Sequence, residues 1–270
     1  MANILAFGDS NTWGLVPGNK GRYPWGVRWT SIVQENLKQV NLIEDGLCGR
    51  TTIFEDRERP HLRGTELLPI SLEKNYPLDG AVIMLGTNDC KSFYGADHKT
   101  IGEGLEKCLD ELEKYIEPQN ILVISPIRLG EDVGNPEKDP EFNDASVETS
   151  RHLKEEYRRI AQKRGNRFLA ASDYATASSV DDEHLDENGH TFTTSQLPTS
   201  SKYSLSATMV ALSAACASTK EPRRRPISSA SIFLVTSVTL STRISFSVIV
   251  PVLSTQSTST LASASMHFRF

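Results

Sequence analysis

Short apolar runs of strand length recur through the first 171 positions, at residues 3–7, 40–43, 80–85, 120–125 and 167–171. They alternate poorly and are rich in Ile, Val and Leu, as strands buried on both faces of a parallel sheet are. Longer amphipathic segments lie between them. Residues 27–38 set Val27, Ile32, Val33 and Leu37 at helical spacing, and residues 101–116 repeat Ile101, Leu105, Cys108, Leu109, Leu112 and Ile116 opposite a charged face. Residues 146–164 predict a charged helix with few apolar positions, and residues 65–72 a weaker one. This alternation predicts an α/β fold: a three-layer α/β/α sandwich on a five-stranded parallel sheet, with right-handed crossovers and strand order 2-1-3-4-5. Such sheets bind ligands at the carboxyl ends of their strands, so the loops after strands 1, 2 and 3 are where chemistry is expected.

The pattern stops near residue 190, and the charge balance changes with it. Residues 1–190 hold 22 Lys+Arg against 33 Asp+Glu, a net of −11, whereas residues 191–270 hold 7 against 1, a net of +6; together they give the chain's −5. The second stretch has 31 Ser+Thr in 80 positions and no Gly, Asp or Asn. Turns depend on those three residues, so a folded domain lacking them would be unusual. Two domains of organisation follow: residues 1–190 as the α/β domain, and 191–270 as a Ser/Thr-rich low-complexity tail, disordered or frameshifted. A genuine low-complexity tail is the alternative to a wrong reading frame. Residues 231–253 are β-prone and apolar, but Arg243 and many hydroxyls keep them from being a membrane span.

The mildly acidic balance gives no reason to expect nucleic acid or an anionic membrane as partner. The first residues have no basic segment followed by a long apolar core, so no secretory signal is read and a cytoplasmic location is expected. Cys48, Cys90, Cys108 and Cys216 are scattered without a C-x-x-C pair, which predicts free, mostly buried thiols and no metal site.

The loop after strand 1 reads Phe7-Gly8-Asp9-Ser10-Asn11-Thr12-Trp13-Gly14. A serine at a strand's carboxyl end can lead a helix, and Gly8 would let the backbone turn tightly beside it. The loop after strand 2 contains Cys48-Gly49-Arg50-Thr51-Thr52, and the loop after strand 3 reads Gly86-Thr87-Asn88-Asp89. The Gly49 N–H and the Asn88 amide are the kind of donors that an oxyanion hole requires. After the last strand comes Asp181-Asp182-Glu183-His184. An Asp three residues before a His can bond Nδ1–H, fix the tautomer and leave Nε2 free to take a proton from a serine. Asp182 and Glu183 are also neighbours of the histidine, and the spacing favours Asp181.

These blocks in this order, Gly-Asp-Ser-Asn at 8–11, Gly49, Gly-Thr-Asn-Asp at 86–89 and Asp-x-x-His at 181–184, resemble the SGNH (GDSL-like) hydrolases over residues 1–190. Trp13-Gly14 and Gly49-Arg50-Thr51-Thr52 are similar to the arylesterase/acyltransferase branch, whose members act on small acyl esters. The resemblance implies a flavodoxin-like sheet and a carboxylic ester hydrolase with an acyl-enzyme intermediate and a capacity for acyl transfer. Ser10 would be the nucleophile, His184 its base and Asp181 the orienting carboxylate. Ser10 N–H, Gly49 N–H and the Asn88 side chain would form the oxyanion hole. It implies no cofactor and a small-molecule ester as the partner. Relatives in this branch can be homo-oligomers, which the sequence leaves open here. A carbohydrate O-acetylesterase is the sibling reading. The reading from another class is a folded but inactive relic, because the family's closing helix after the histidine has no counterpart in Thr191-Phe192-Thr193-Thr194-Ser195.

Other residues are read as structural. Asp9 and Asp89 are expected to hold loop backbone by hydrogen bonds. Trp13 either lines the acyl pocket or packs in the core, and Trp25 and Trp29 belong to core or interface. His61, His98 and His152 are expected in solvent. The alternating charges at 55–59 predict an exposed loop, which together with residues 91–96 could wall the cleft.

Overall fold

A computed structural model describes residues 1–18 and 20–191. The readings made for residues 192–270, the low-complexity tail included, and for Cys216 lie outside the described residues. Strands β1 (Ala2–Gly8), β2 (Val40–Gly46), β3 (Gly80–Met84), β4 (Ile121–Ser125) and β5 (Arg167–Ala170) form one parallel sheet in the order β2-β1-β3-β4-β5. This is the expected fold class. The strands β3 and β4 are buried at every position, whereas the edge strands β2 and β5 are partly open. Gly8 pairs in register with Gly46 on one side and Met84 on the other, so the first three strands end level and their loops emerge side by side.

Six α-helices accompany the sheet among the described residues: α1 (Ser10–Trp13), α2 (Trp29–Asn36), α3 (Gly64–Asn75), α4 (His98–Leu112), α5 (Asp144–Arg164) and α6 (Glu187–His190). Alternate residues of each strand feed two cores. Leu5, Phe7, Ile83 and Val123 pack with Leu68 and Leu72 of α3, Leu105 and Leu109 of α4, and Tyr157 and Ile160 of α5. Ile4, Ala6, Val82 and Ile124 pack with Trp29 and Val33 of α2 and with Leu185. Burial of this kind stabilises at roughly 25 cal/mol per Å² of apolar surface and fixes which face each helix covers.

The starts of α4 and α5 differ from the periodic stripes because caps, not apolar residues, set them. The Asp97 side chain accepts from the Thr100 N–H, so α4 begins three residues ahead of Ile101. Asn143 and Ser146 form a reciprocal capping box that starts α5 at Asp144. Expectation and structure part elsewhere too. Trp29 is core, one of the two places expected for it, whereas Trp25 is exposed and does not join the core. His98 is half-buried, its ring 5.0 Å from that of His152. In the charged loop Asp56 is buried, accepting the Glu58 and Arg59 N–H groups and the Arg59 side chain. Among the described residues no helix is long and apolar enough to cross a membrane.

Candidate active site

Ser10 is the first residue of α1, directly beyond the carboxyl end of β1. Its neighbour Asp9 caps this short helix, accepting the Asn11 N–H at 3.0 Å. Gly8 is required by space rather than by a special dihedral: a Cβ there would lie 2.1 Å from Thr12 Oγ1 and 2.8 Å from the Met84 carbonyl. Gly46 on β2 plays the same part, since its Cβ would meet the Trp13 backbone nitrogen at 2.2 Å. Two glycines at level strand ends thus let α1 sit directly on the sheet edge.

The His184 loop reaches the same point. His184 Nε2 lies 2.9 Å from Ser10 Oγ, and its Nδ1 lies 2.9 Å from Asp181 Oδ2. All three residues are buried. Asp181 Oδ1 accepts the N–H groups of Glu183 and His184, and Oδ2 also accepts the Gly18 N–H at 2.8 Å. Asp182 faces away from the imidazole. It adopts a φ of 57°, which Asp tolerates better than most residues, and its carboxylate pairs with Lys138 at 2.5 Å. Glu183 stays closer, with Oε2 3.6 Å from Nδ1.

The electrostatics follow from burial and these partners. Burial opposes a charged Asp181, yet the His184 hydrogen bond and charge hold its carboxyl down at about 2. Burial likewise opposes the imidazolium, but the Glu183 charge, the Asp181 hydrogen bond and charge, and Asp9 carry His184 up to about 9. Desolvation pushes Asp9 up to about 7 and Asp89 to about 6. An imidazole held between a carboxylate and a hydroxyl can take the hydroxyl's proton and return it to a leaving group.

The other two loops close on this centre. Gly49 has φ 81°, a left-handed conformation that suits glycine. Among the described residues the Ser10 and Gly49 backbone N–H groups donate to no acceptor. Asn88 Nδ2 donates to the Arg50 carbonyl at 3.2 Å. The Arg50 guanidinium donates to the Gly8 carbonyl at 2.8 Å, pairs with Asp45 at 2.8 Å and lies 3.9 Å over the Phe7 ring. Asp89 accepts the Thr52 N–H at 2.9 Å and its hydroxyl at 2.5 Å, joining the second and third loops as expected. Trp13 is half-buried beneath the Arg22 guanidinium, 5.3 Å from its ring centre.

Sequence reasoning assigned no role to Asn11. Its Oδ1 accepts the Leu185 N–H at 2.9 Å and its Nδ2 donates to the Glu183 carbonyl at 3.4 Å, so it straps the histidine loop to the serine helix. The only sequence signal was its place directly after Ser10. Among the described residues no group of His, Cys, Asp and Glu is arranged to hold a metal ion.

Comparison with known proteins identifies the family. Residues 6–192 match the family model described as the GDSL-like lipase/acylhydrolase family. The chain belongs to that family and is an ester-hydrolysing enzyme. Among solved structures it is similar to Est24, a carbohydrate acetylesterase from Sinorhizobium meliloti, at 30% identity and TM-score 0.67, covering 80% of this chain and 99% of that one. It is similar to the M. smegmatis aryl esterase at 28% identity and TM-score 0.64, covering 81% of this chain and 99% of that one. No curated protein matches it significantly in sequence.

Proposed function

We propose that this chain is a serine esterase acting on small acyl esters of carboxylic acids, with Ser10, His184 and Asp181 as its catalytic set. The observation that carries the reading is the continuous line from Asp181 Oδ2 through both imidazole nitrogens to Ser10 Oγ, each contact 2.9 Å. Ser10 Oγ attacks the ester carbonyl while His184 Nε2 takes its proton. The tetrahedral intermediate collapses to an acyl-enzyme, and the alcohol leaves with the proton from His184. Water, deprotonated by the same nitrogen, then releases the acid and restores Ser10; an alcohol in its place gives acyl transfer. Asp181 holds the ring and stabilises the imidazolium. The free N–H groups of Ser10 and Gly49 support their role as oxyanion donors. Asn88 joins them with the amide hydrogen it does not give to Arg50. Trp13 is the proposed wall of the acyl side.

The test is hydrolysis of p-nitrophenyl acetate and labelling by a fluorophosphonate probe, in the parent and in Ser10→Ala. Both activities should disappear with the hydroxyl. Hydrolysis unchanged in Ser10→Ala refutes the assigned nucleophile, and a folded parent that neither hydrolyses nor labels identifies an inactive relic. The likeness to a carbohydrate acetylesterase favours a second substrate, acetylated sugar; release of acetate from acetylated xylan distinguishes it from a preference for aryl esters.

A further inference from the structure

Building on the proposed role of His184 as base, we infer that Glu183 acts through that ring as a positioning residue: its buried carboxylate, 3.6 Å from Nδ1, stabilises the imidazolium formed during acyl transfer and so moves the enzyme's working range toward alkaline pH. The geometry separates the two carboxylates clearly. Asp181 has both oxygens committed, to the ring, to the Glu183 and His184 N–H groups and to the Gly18 N–H. The Glu183 carboxylate accepts no hydrogen bond among the described residues, although its side chain is only 7% exposed. An anion that keeps only slight contact with solvent and has no protein donor is stabilised by a cation beside it. Lys91, the lysine within its electrostatic range, is itself buried and pairs with Glu141 at 2.5 Å. Among the described residues the imidazole is the nearest group that can supply positive charge, 3.6 Å from the carboxylate.

The surroundings act consistently. His184 faces Glu183 and Asp181 on its own loop, Asp9 from the loop after β1 and His190 from α6. Glu183 faces His184 and Asp181, Asp139 from the loop preceding α5, and Lys91 from the loop after β3. Burial raises the Glu183 carboxyl, with Asp139 and Asp181 adding to that and His184 and Lys91 opposing it. A protonated ring beside Glu183 therefore favours the ionised carboxylate, and the carboxylate favours the protonated ring. The free enzyme must lose that proton before His184 can serve as a base. Once it has, the ring is the stronger base and its cation is better held in the transition state.

The experiment measures kcat/KM for p-nitrophenyl acetate from pH 5 to 9.5 on the full chain, for the parent, Glu183→Gln, Glu183→Asp and Ser10→Ala. The parent's acid limb should have its midpoint well above 6.5, the ordinary histidine value. Glu183→Gln should move it down by about one pH unit and lower the plateau several-fold, so that the two curves cross. Glu183→Asp should stay near the parent. A Glu183→Gln curve lowered by one factor at every pH overturns the inference while leaving the Ser10 reading intact. Hydrolysis that survives Ser10→Ala overturns the Ser10 reading itself and the inference with it. Should Glu183→Gln not fold, the His184 ring is titrated by NMR in the parent; a midpoint at or below 6.5 overturns the inference.

Discussion

Replacing Asp9 by asparagine removes an ionisable group next to Ser10, the proposed nucleophile, while keeping the acceptor that caps α1. In the native chain Oδ1 accepts the Asn11 N–H at 3.0 Å, and Oδ2 is buried with no partner. Burial raises this carboxyl from 3.8 to about 7. Between those values the folded protein holds a proton that the unfolded chain has released, so folding loses stability as pH rises through that window. At about 1.4 kcal/mol per pH unit, the penalty is near zero below pH 4, about 2 kcal/mol at pH 5 and about 4 kcal/mol at pH 8. Asparagine escapes this cost. Its amide places an unmet donor where an unmet acceptor stood, and those penalties are of similar size. Asp9→Asn should therefore resist urea better than the parent at pH 8, with roughly half that advantage at pH 5. Urea titrations followed by tryptophan fluorescence at the two pH values measure it. An effect of equal size at both, or a loss of stability that grows with pH, refutes the reasoning.

Gly46→Ala drives a Cβ to 2.2 Å from the Trp13 nitrogen and 2.7 Å from the Thr12 carbonyl carbon, so α1 must move. It should cost about 2–3 kcal/mol in urea unfolding and slow fluorophosphonate labelling of Ser10 sharply; labelling at the parent rate would show that α1 tolerates displacement. Tyr157→Phe deletes the hydroxyl that donates to the Leu85 carbonyl at 3.0 Å inside the core. The Tm should fall by about 2–6 °C, corresponding to about 1–2 kcal/mol, and an unchanged Tm contradicts a buried hydrogen bond there.

The parallel sheet was legible because strands covered on both faces are apolar nearly throughout, as Gly80–Met84 and residues 121–124 are; the buried Ser125 closes the second run. The helices were legible wherever one face packs, as with the stripe from Ile101 to Leu112. Their starts were not, since Asp97 and Asn143 act through one side-chain bond each and leave no periodic mark. The candidate residues could be found because this sheet order brings the ends of strands 1, 2 and 3 together. What stayed hidden depends on contacts distant in sequence. Asn11 finds its partners at 183 and 185, and Asp182 turns from the histidine only because Lys138 and the Gly130 and Asp132 N–H groups receive it. Asp56 resembled its charged neighbours and is folded inward by their own backbone amides.

Arg50 grips the end of one strand, neutralises the acid on the next and offers its carbonyl to the amide of the third loop. A single residue, through its guanidinium and its own backbone carbonyl, therefore links parts contributed by three separate stretches of polypeptide. Anyone seeking to broaden the range of esters accepted has a practical guide in this: keep position 50 constant and diversify the outlying loops, because a change there would degrade every reaction at once instead of redirecting one.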